Sequence, residues 1–105
     1  MKTYAVIVAG GSGTRMGSEL PKQFLPIHGV PVLIHTIRAF CSAINDIHIV
    51  VVLPALHLEA GRGHLQQFLP GLSAIVVQGG TTRFDSVRNG LAVTEDEAIV
   101  FLHAD

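Results

Sequence analysis

Tyr4 to Val8 (Tyr-Ala-Val-Ile-Val) is an unbroken apolar run that opens directly into a glycine-rich turn, Ala9 to Gly17. A β-rich run without polar alternation suits a strand buried on both faces, as in a parallel sheet. Further segments continue the pattern. Pro31 to Ser42 reads as a helix, with proline suited to its first turn and Leu33, Ile34, Ile37 and Phe40-Cys41 at helical spacing. Ile47 to Leu53 is a second strand, closed by Pro54. Ala55 to Leu69 reads as helical, with Leu58, Leu65 and Phe68-Leu69 inward and with Gly61 and Gly63 weakening its middle. Ala74 to Val77 is a third strand. After Gly79-Gly80, Thr82 to Val93 places Phe84, Val87 and Leu91 at helical spacing. Ala98 to Leu102 is a fourth strand.

Strands alternating with helices imply right-handed crossovers and a mainly parallel sheet covered on both sides, a three-layer α/β sandwich. Ligands on such sheets bind beyond the carboxyl ends of the strands. The first loop, the Gly79-Gly80 loop and Asp105 all fall at such ends, so the topology groups them into one site.

The chain has 105 residues, enough for one small domain. Its 49% apolar and 14% charged residues argue against disorder. A formal net charge of −1 gives no global basic field for nucleic acid, so any anion needs a local site. No segment reads as a membrane span or signal peptide. The single cysteine, Cys41, fits a reducing compartment, and cytoplasm is the expectation.

Within the loop Ala9-Gly10-Gly11-Ser12-Gly13-Thr14-Arg15-Met16-Gly17, the glycines allow backbone N–H groups to approach phosphate oxygens. Arg15 adds a planar, permanent charge suited to a polyphosphate, and Lys22 follows as a compact one. A P-loop is excluded, because Arg15-Met16-Gly17 stands where Gly-Lys-Ser/Thr is needed. A dinucleotide fingerprint is excluded too: the spacing of Gly11, Gly13 and Gly17 is one residue too long, and Leu53-Pro54 replaces the ribose-binding acid.

This loop resembles the signature of nucleotidyltransferases that activate sugars and related phosphates. Three further segments are more selective: Pro21-Lys22-Gln23-Phe24-Leu25-Pro26, Gly29-Val30-Pro31-Val32-Leu33 with His35-Thr36-Ile37, and Gly79-Gly80-Thr81-Thr82-Arg83-Phe84-Asp85-Ser86-Val87-Arg88-Asn89-Gly90-Leu91. Together they resemble the 2-C-methyl-D-erythritol 4-phosphate cytidylyltransferase family. The close relative ribitol 5-phosphate cytidylyltransferase shares the Pro21 to Ile37 and Gly79 to Leu91 motifs. Two positions depart from the family pattern: Val8 replaces a proline or similar small residue, and in His103-Ala104-Asp105 the acid comes one residue late.

The resemblance implies a Rossmann-like nucleotidyltransferase fold, incomplete in this chain, with residues 1–105 as the N-terminal nucleotide-binding part of a single domain. It implies transfer of CMP from CTP to a sugar-alcohol phosphate with release of pyrophosphate. Arg15 and Lys22 would be catalytic. Ala9, Gly10, Gly11 and Gly13 would wrap the triphosphate and part of the base, while Gly80, Thr81 and Ser86 would hold the cytosine. Mg²⁺ would take Asp105 as its carboxylate ligand, and the full-length enzyme would be a homodimer. A reading of another class is a truncated, non-catalytic nucleotide-binding module.

Plainer roles stand beside these. Lys22 could be a solvated lysine. Ser86 could cap the helix that begins near it, with Asp85 as a rival for that cap. Arg83 and Arg88 fit structural or solvated roles better than catalytic ones, and Asp105 could be a solvated end. The six histidines show no tight metal spacing. Cys41 reads as a small side chain buried on the apolar face of its helix. An incomplete sheet would leave an apolar edge exposed and favour self-association.

Overall fold

A computed structural model describes residues 1–9 and 21–104. The loop residues Gly10, Gly11, Gly13 and Arg15, and the terminal Asp105, lie outside them. Strand β1 (Lys2–Val8) is followed by a single 3₁₀ turn (Lys22–Phe24), a short hairpin of β2 (Pro26–Ile27) and β3 (Val30–Pro31), and helix α1 (Val32–Ala43). Strand β4 (His48–Leu53), helix α2 (Leu58–Phe68), strand β5 (Ile75–Gln78), helix α3 (Arg83–Leu91) and strand β6 (Ala98–Ala104) complete the order. Residues 55–57 make a 3₁₀ turn ahead of α2, inside the segment expected to be one helix.

The main sheet has the order β5-β4-β1-β6, and every pairing is parallel. The expected parallel architecture is therefore present. β1 and β4 occupy the centre, which is why their apolar runs show no alternation: Ala5 to Val8 and Ile49 to Leu53 are all buried.

The two faces are filled differently. Ala5, Ile7, Ile49, Val51 and Leu53 point to one face, where Leu33, Ile34 and Ile37 of α1 and Leu65 of α2 cover them. Gly61 sits buried inside α2 because a Cβ there would collide with Leu53 Cδ1, whereas Gly63 faces open space. The glycine that weakens the helix by propensity is thus the residue that lets it lie close to the sheet. Tyr4, Val6, Val8, Val50 and Val52 point to the other face, under α3.

α3 corrects the inward face expected from periodicity. Phe84 is 71% exposed and Leu91 41%, while the buried residues are Ser86 and Gly90, with Val87 half-buried between them. A Cβ on Gly90 would lie 2.7 Å from Val6 Cγ1 and 2.8 Å from Val52 Cγ2. Small residues, not bulky ones, bring this helix onto the sheet. Cys41 is also corrected. It is exposed, because the buried stripe of α1 ends at Ile37 and residues 41–43 of its last turn face solvent.

The hairpin was not anticipated. Its turn, His28-Gly29, has φ values of 53° and 77°, the left-handed conformation of tight two-residue hairpins. His35 Nε2 donates to the Ile27 carbonyl at 3.0 Å and fastens the hairpin to α1. Pro31 lies at the N-cap of α1 and not within its first turn.

β6 pairs with β1 alone among the described residues and leaves Ile99, Phe101 and Leu102 about half exposed. This is the apolar edge expected of an incomplete sheet. A Lys2–Glu95 ion pair at 2.8 Å ties the turn before β6 to the start of β1. Among the described residues, no helix is long and apolar enough to cross a membrane.

Candidate functional site

Three strands deliver the chain to one end of the sheet, the carboxyl end. Ala9 leaves β1 with its N–H donating to the Val52 carbonyl at 2.9 Å. Gly79 leaves β5 with its N–H donating to the Leu53 carbonyl at 2.8 Å. Both departures are therefore fastened to the carboxyl end of β4, where a parallel sheet offers its ligand site.

Ser86, in the first turn of α3, lies beneath this junction and is 4% exposed. Its Oγ accepts the Gly80 N–H at 3.1 Å. A Cβ on Gly79 would stand 2.6 Å from Ser86 Oγ and 3.3 Å from Val52 Cγ1, and one on Gly80 would collide with Asp85 Cβ. The two glycines let the backbone pass directly over the start of α3. Any side chain there would lift the strand exit off the helix.

The cap of α3 falls on neither residue expected. Thr82, with extended backbone (φ −123°, ψ 165°), accepts the Asp85 N–H on its Oγ1 at 3.0 Å. This is the N-cap arrangement, in which a side-chain oxygen satisfies an otherwise orphaned helix N–H. The Thr-x-x-Asp spacing was the available signal for it. Ser86 is thereby released from capping and turned to the Gly80 backbone.

Asp85 ties the loop together. One carboxylate oxygen accepts from Thr81 Oγ1 at 3.2 Å, and the other accepts from Arg88 Nη2 at 3.1 Å. The Arg88 guanidinium lies 5.6 Å from the centre of the Phe84 ring, which explains where that exposed aromatic finds a partner. Arg88 is thus engaged within α3 by Asp85 and Phe84. Asn89 Nδ2 donates to the Gln78 carbonyl at 3.0 Å and closes α3 against β5.

Of the residues expected to bind nucleotide, the structure gathers Ala9, Gly80, Thr81 and Ser86 around the ends of β1, β4 and β5. Lys22 is exposed on its 3₁₀ turn, and among the described residues it makes no hydrogen bond or ion pair with that group. Its turn is anchored by buried Phe24, whose ring makes T-shaped contacts with His57 and His64 at centroid distances of 5.8 and 4.9 Å. Both histidines thus pack against Phe24.

No cluster of three His, Cys, Asp or Glu side chains that could hold a metal occurs among the described residues. The β6 register puts Ala104 opposite Val8, so β6 ends level with β1.

The family model of 2-C-methyl-D-erythritol 4-phosphate cytidylyltransferase matches residues 3–105. The chain is 43% identical over 103 residues to the 2-C-methyl-D-erythritol 4-phosphate cytidylyltransferase of Phocaeicola vulgatus, covering 98% of this chain and 47% of that protein. It is 47% identical over 102 residues to the one from Porphyromonas gingivalis, covering 97% and 45%. The crystal structure of 4-diphosphocytidyl-2C-methyl-D-erythritol synthase from Anaerococcus prevotii superposes with a TM-score of 0.72 at 26% identity, over 98% of this chain and 42% of the other. The chain spans about half the length of the curated relatives it matches.

Proposed function

Because the chain belongs to the 2-C-methyl-D-erythritol 4-phosphate cytidylyltransferase family, we propose that it forms the nucleotide-binding part of an enzyme that transfers CMP from CTP to 2-C-methyl-D-erythritol 4-phosphate. The observation that carries this reading is the junction at the carboxyl ends of β1, β4 and β5. The Gly79-Gly80 exit passes over Ser86, across the end of β4 from the exit of β1 at Ala9, and the 79–91 segment that resembles the family supplies Gly79, Gly80 and Ser86.

In the proposed reaction an acceptor phosphate oxygen attacks the α-phosphorus of CTP in line. A P–O bond forms as the bond to the β-phosphate breaks, and pyrophosphate leaves. The acceptor is already an anion at neutral pH, so the protein's task is positioning and charge stabilisation. Arg15 and Lys22 would meet the triphosphate, Ala9 to Gly13 would wrap it, and Gly80, Thr81 and Ser86 would face the base. Ser86 suits that place. Its oxygen is occupied by the Gly80 N–H, while its hydroxyl proton stays available for a base acceptor. Mg²⁺, with Asp105 as the protein carboxylate, would supply charge neutralisation at the phosphates.

Homodimeric assembly of the full-length enzyme and a cytoplasmic setting belong to the same proposal and rest on the family resemblance and the single cysteine. Pyrophosphate release in the presence of CTP tests the reaction. Methylerythritol phosphate should support it, and ribitol 5-phosphate should not. The reverse preference would assign the ribitol enzyme. CTP binding without turnover of either acceptor would fit a non-catalytic nucleotide-binding module. Arg15→Ala and Lys22→Ala should each lower turnover by about 10²-fold while leaving the melting temperature unchanged.

A further inference from the structure

We propose that Asp85 is a positioning residue that makes this site select an amino-pyrimidine over an oxo-pyrimidine, by fixing the Thr81 hydroxyl as a hydrogen-bond acceptor. The inference rests on the reading that Gly80, Thr81 and Ser86 face the base, and deepens it.

The argument is one of proton accounting. An ionised carboxylate has only lone pairs to offer, so in the 3.2 Å contact between Thr81 Oγ1 and Asp85 Oδ2 the hydroxyl must donate. Thr81 has one hydroxyl proton, and that contact uses it. Toward a ligand Thr81 presents lone pairs alone. The C4 position of cytosine carries an amino group, which donates; the C4 position of a uracil-type base carries a carbonyl, which only accepts. A hydroxyl without a free proton therefore favours cytosine and repels uracil.

Asp85 is well held for this task. Arg88 Nη2 occupies its other oxygen at 3.1 Å, and its own N–H is engaged by the Thr82 cap at 3.0 Å. Its Cβ lies against Gly80, where no side chain can intervene. The acid is fixed from three sides, so the direction of the Thr81 hydroxyl follows from the fold.

Asp85→Asn reverses the arrangement with almost no change of shape. Arg88 can only donate, so the amide oxygen must turn to it. The amide nitrogen then faces Thr81 and donates to its oxygen. The Thr81 proton is released outward, where it suits a carbonyl.

The experiment measures dissociation constants for CTP and UTP, with Mg²⁺ present, for the wild-type chain and for Asp85→Asn, Thr81→Val and Thr81→Ser. Circular dichroism melts confirm that each variant is folded. In Asp85→Asn the preference for CTP over UTP should fall by about tenfold. Thr81→Val should bring it toward unity, and Thr81→Ser should keep it. A purely structural role for Asp85 would weaken both nucleotides alike and leave their ratio unchanged. A wild-type preference for CTP that survives Asp85→Asn and Thr81→Val overturns this inference and leaves the cytidine site standing. A wild-type chain that binds both nucleotides equally, or neither, overturns the cytidine reading and the inference with it.

Discussion

The two faces of the sheet meet their helices in different ways. On the face under α1 and α2, large side chains interlock: Ile7, Ile49, Val51 and Leu53 against Leu33, Ile34, Ile37 and Leu65. On the face under α3, the helix contributes Ser86, Val87 and Gly90, and its backbone lies almost on Val6 and Val52. Bulk gives hydrophobic stabilisation at the first face, whereas closeness at the second places the start of α3 directly under the Gly79-Gly80 exit. Gly61 shows that the division is not absolute, since α2 also uses one glycine to approach Leu53. The two faces hold different parts of the candidate site: the α3 face sets the Gly79-Gly80 exit, and the α1/α2 face holds Phe24 and with it the Lys22 turn.

That contrast predicts separable effects. Ile37→Ala, on the bulky face, should cost about 3–4 kcal/mol through lost burial and a cavity. The folded fraction should keep its nucleotide preference. Urea unfolding and nucleotide titration of the same sample would check both halves, and a changed preference would mean the faces are coupled. Gly90→Ala should cost about 2 kcal/mol, because buried Val6 and Val52 leave no room for a methyl group and the gain in helix propensity offsets only part of the strain. Here nucleotide affinity should fall as well, since lifting α3 pulls Ser86 away from Gly80. Unchanged affinity in a destabilised Gly90→Ala would break the proposed link between closeness and site geometry.

Ser86→Ala should cost about 1–2 kcal/mol, because it leaves the Gly80 N–H without its partner. The smallest effect belongs to the Lys2–Glu95 pair. The hydrogen bond and charge of Lys2 hold the Glu95 carboxyl below its ordinary range, while those of Glu95 push the Lys2 ammonium up. A depressed carboxyl contributes stability above its unfolded pKa and loses it as the pH falls through the folded value. A raised ammonium contributes below its unfolded pKa and loses it as the pH rises through the folded value. The pair's contribution should therefore be constant at neutral pH and disappear at the acid and alkaline extremes. Both side chains are exposed to solvent, so the melting temperature of Glu95→Gln should stay close to that of the wild type at neutral pH.

Much of this was legible in the sequence, for a physical reason. Buried central strands and bulky helix faces write themselves as apolar runs and helical spacing. Tyr4 to Val8, Ile47 to Leu53 and the Leu33-Ile34-Ile37 stripe were accordingly readable. α3 was misread because periodicity assumes that large apolar residues face inward. Phe84 and Leu91 fit the period, yet the helix needed its small residues against the sheet. Cys41 likewise extended an apolar pattern past the point where the helix remains covered. The hairpin lacked the Asn-Gly or Asp-Gly signature that usually announces its turn. The Gly79-Gly80 loop and Ser86 were identified from motif resemblance and ligand-end topology, and the hydrogen bond joining them gives that grouping a geometric basis. The link from Asp85 to Thr81 required coordinates, because no local pattern states which acceptor a hydroxyl will choose.

The most direct test of the central claim is a calorimetric titration of the chain with CTP, UTP, ATP and GTP in the presence of Mg²⁺. A site built at the ends of β1, β4 and β5 for a cytidine nucleotide should bind CTP in preference to the other three. Equal binding of all four, preference for another nucleotide, or no binding would contradict it.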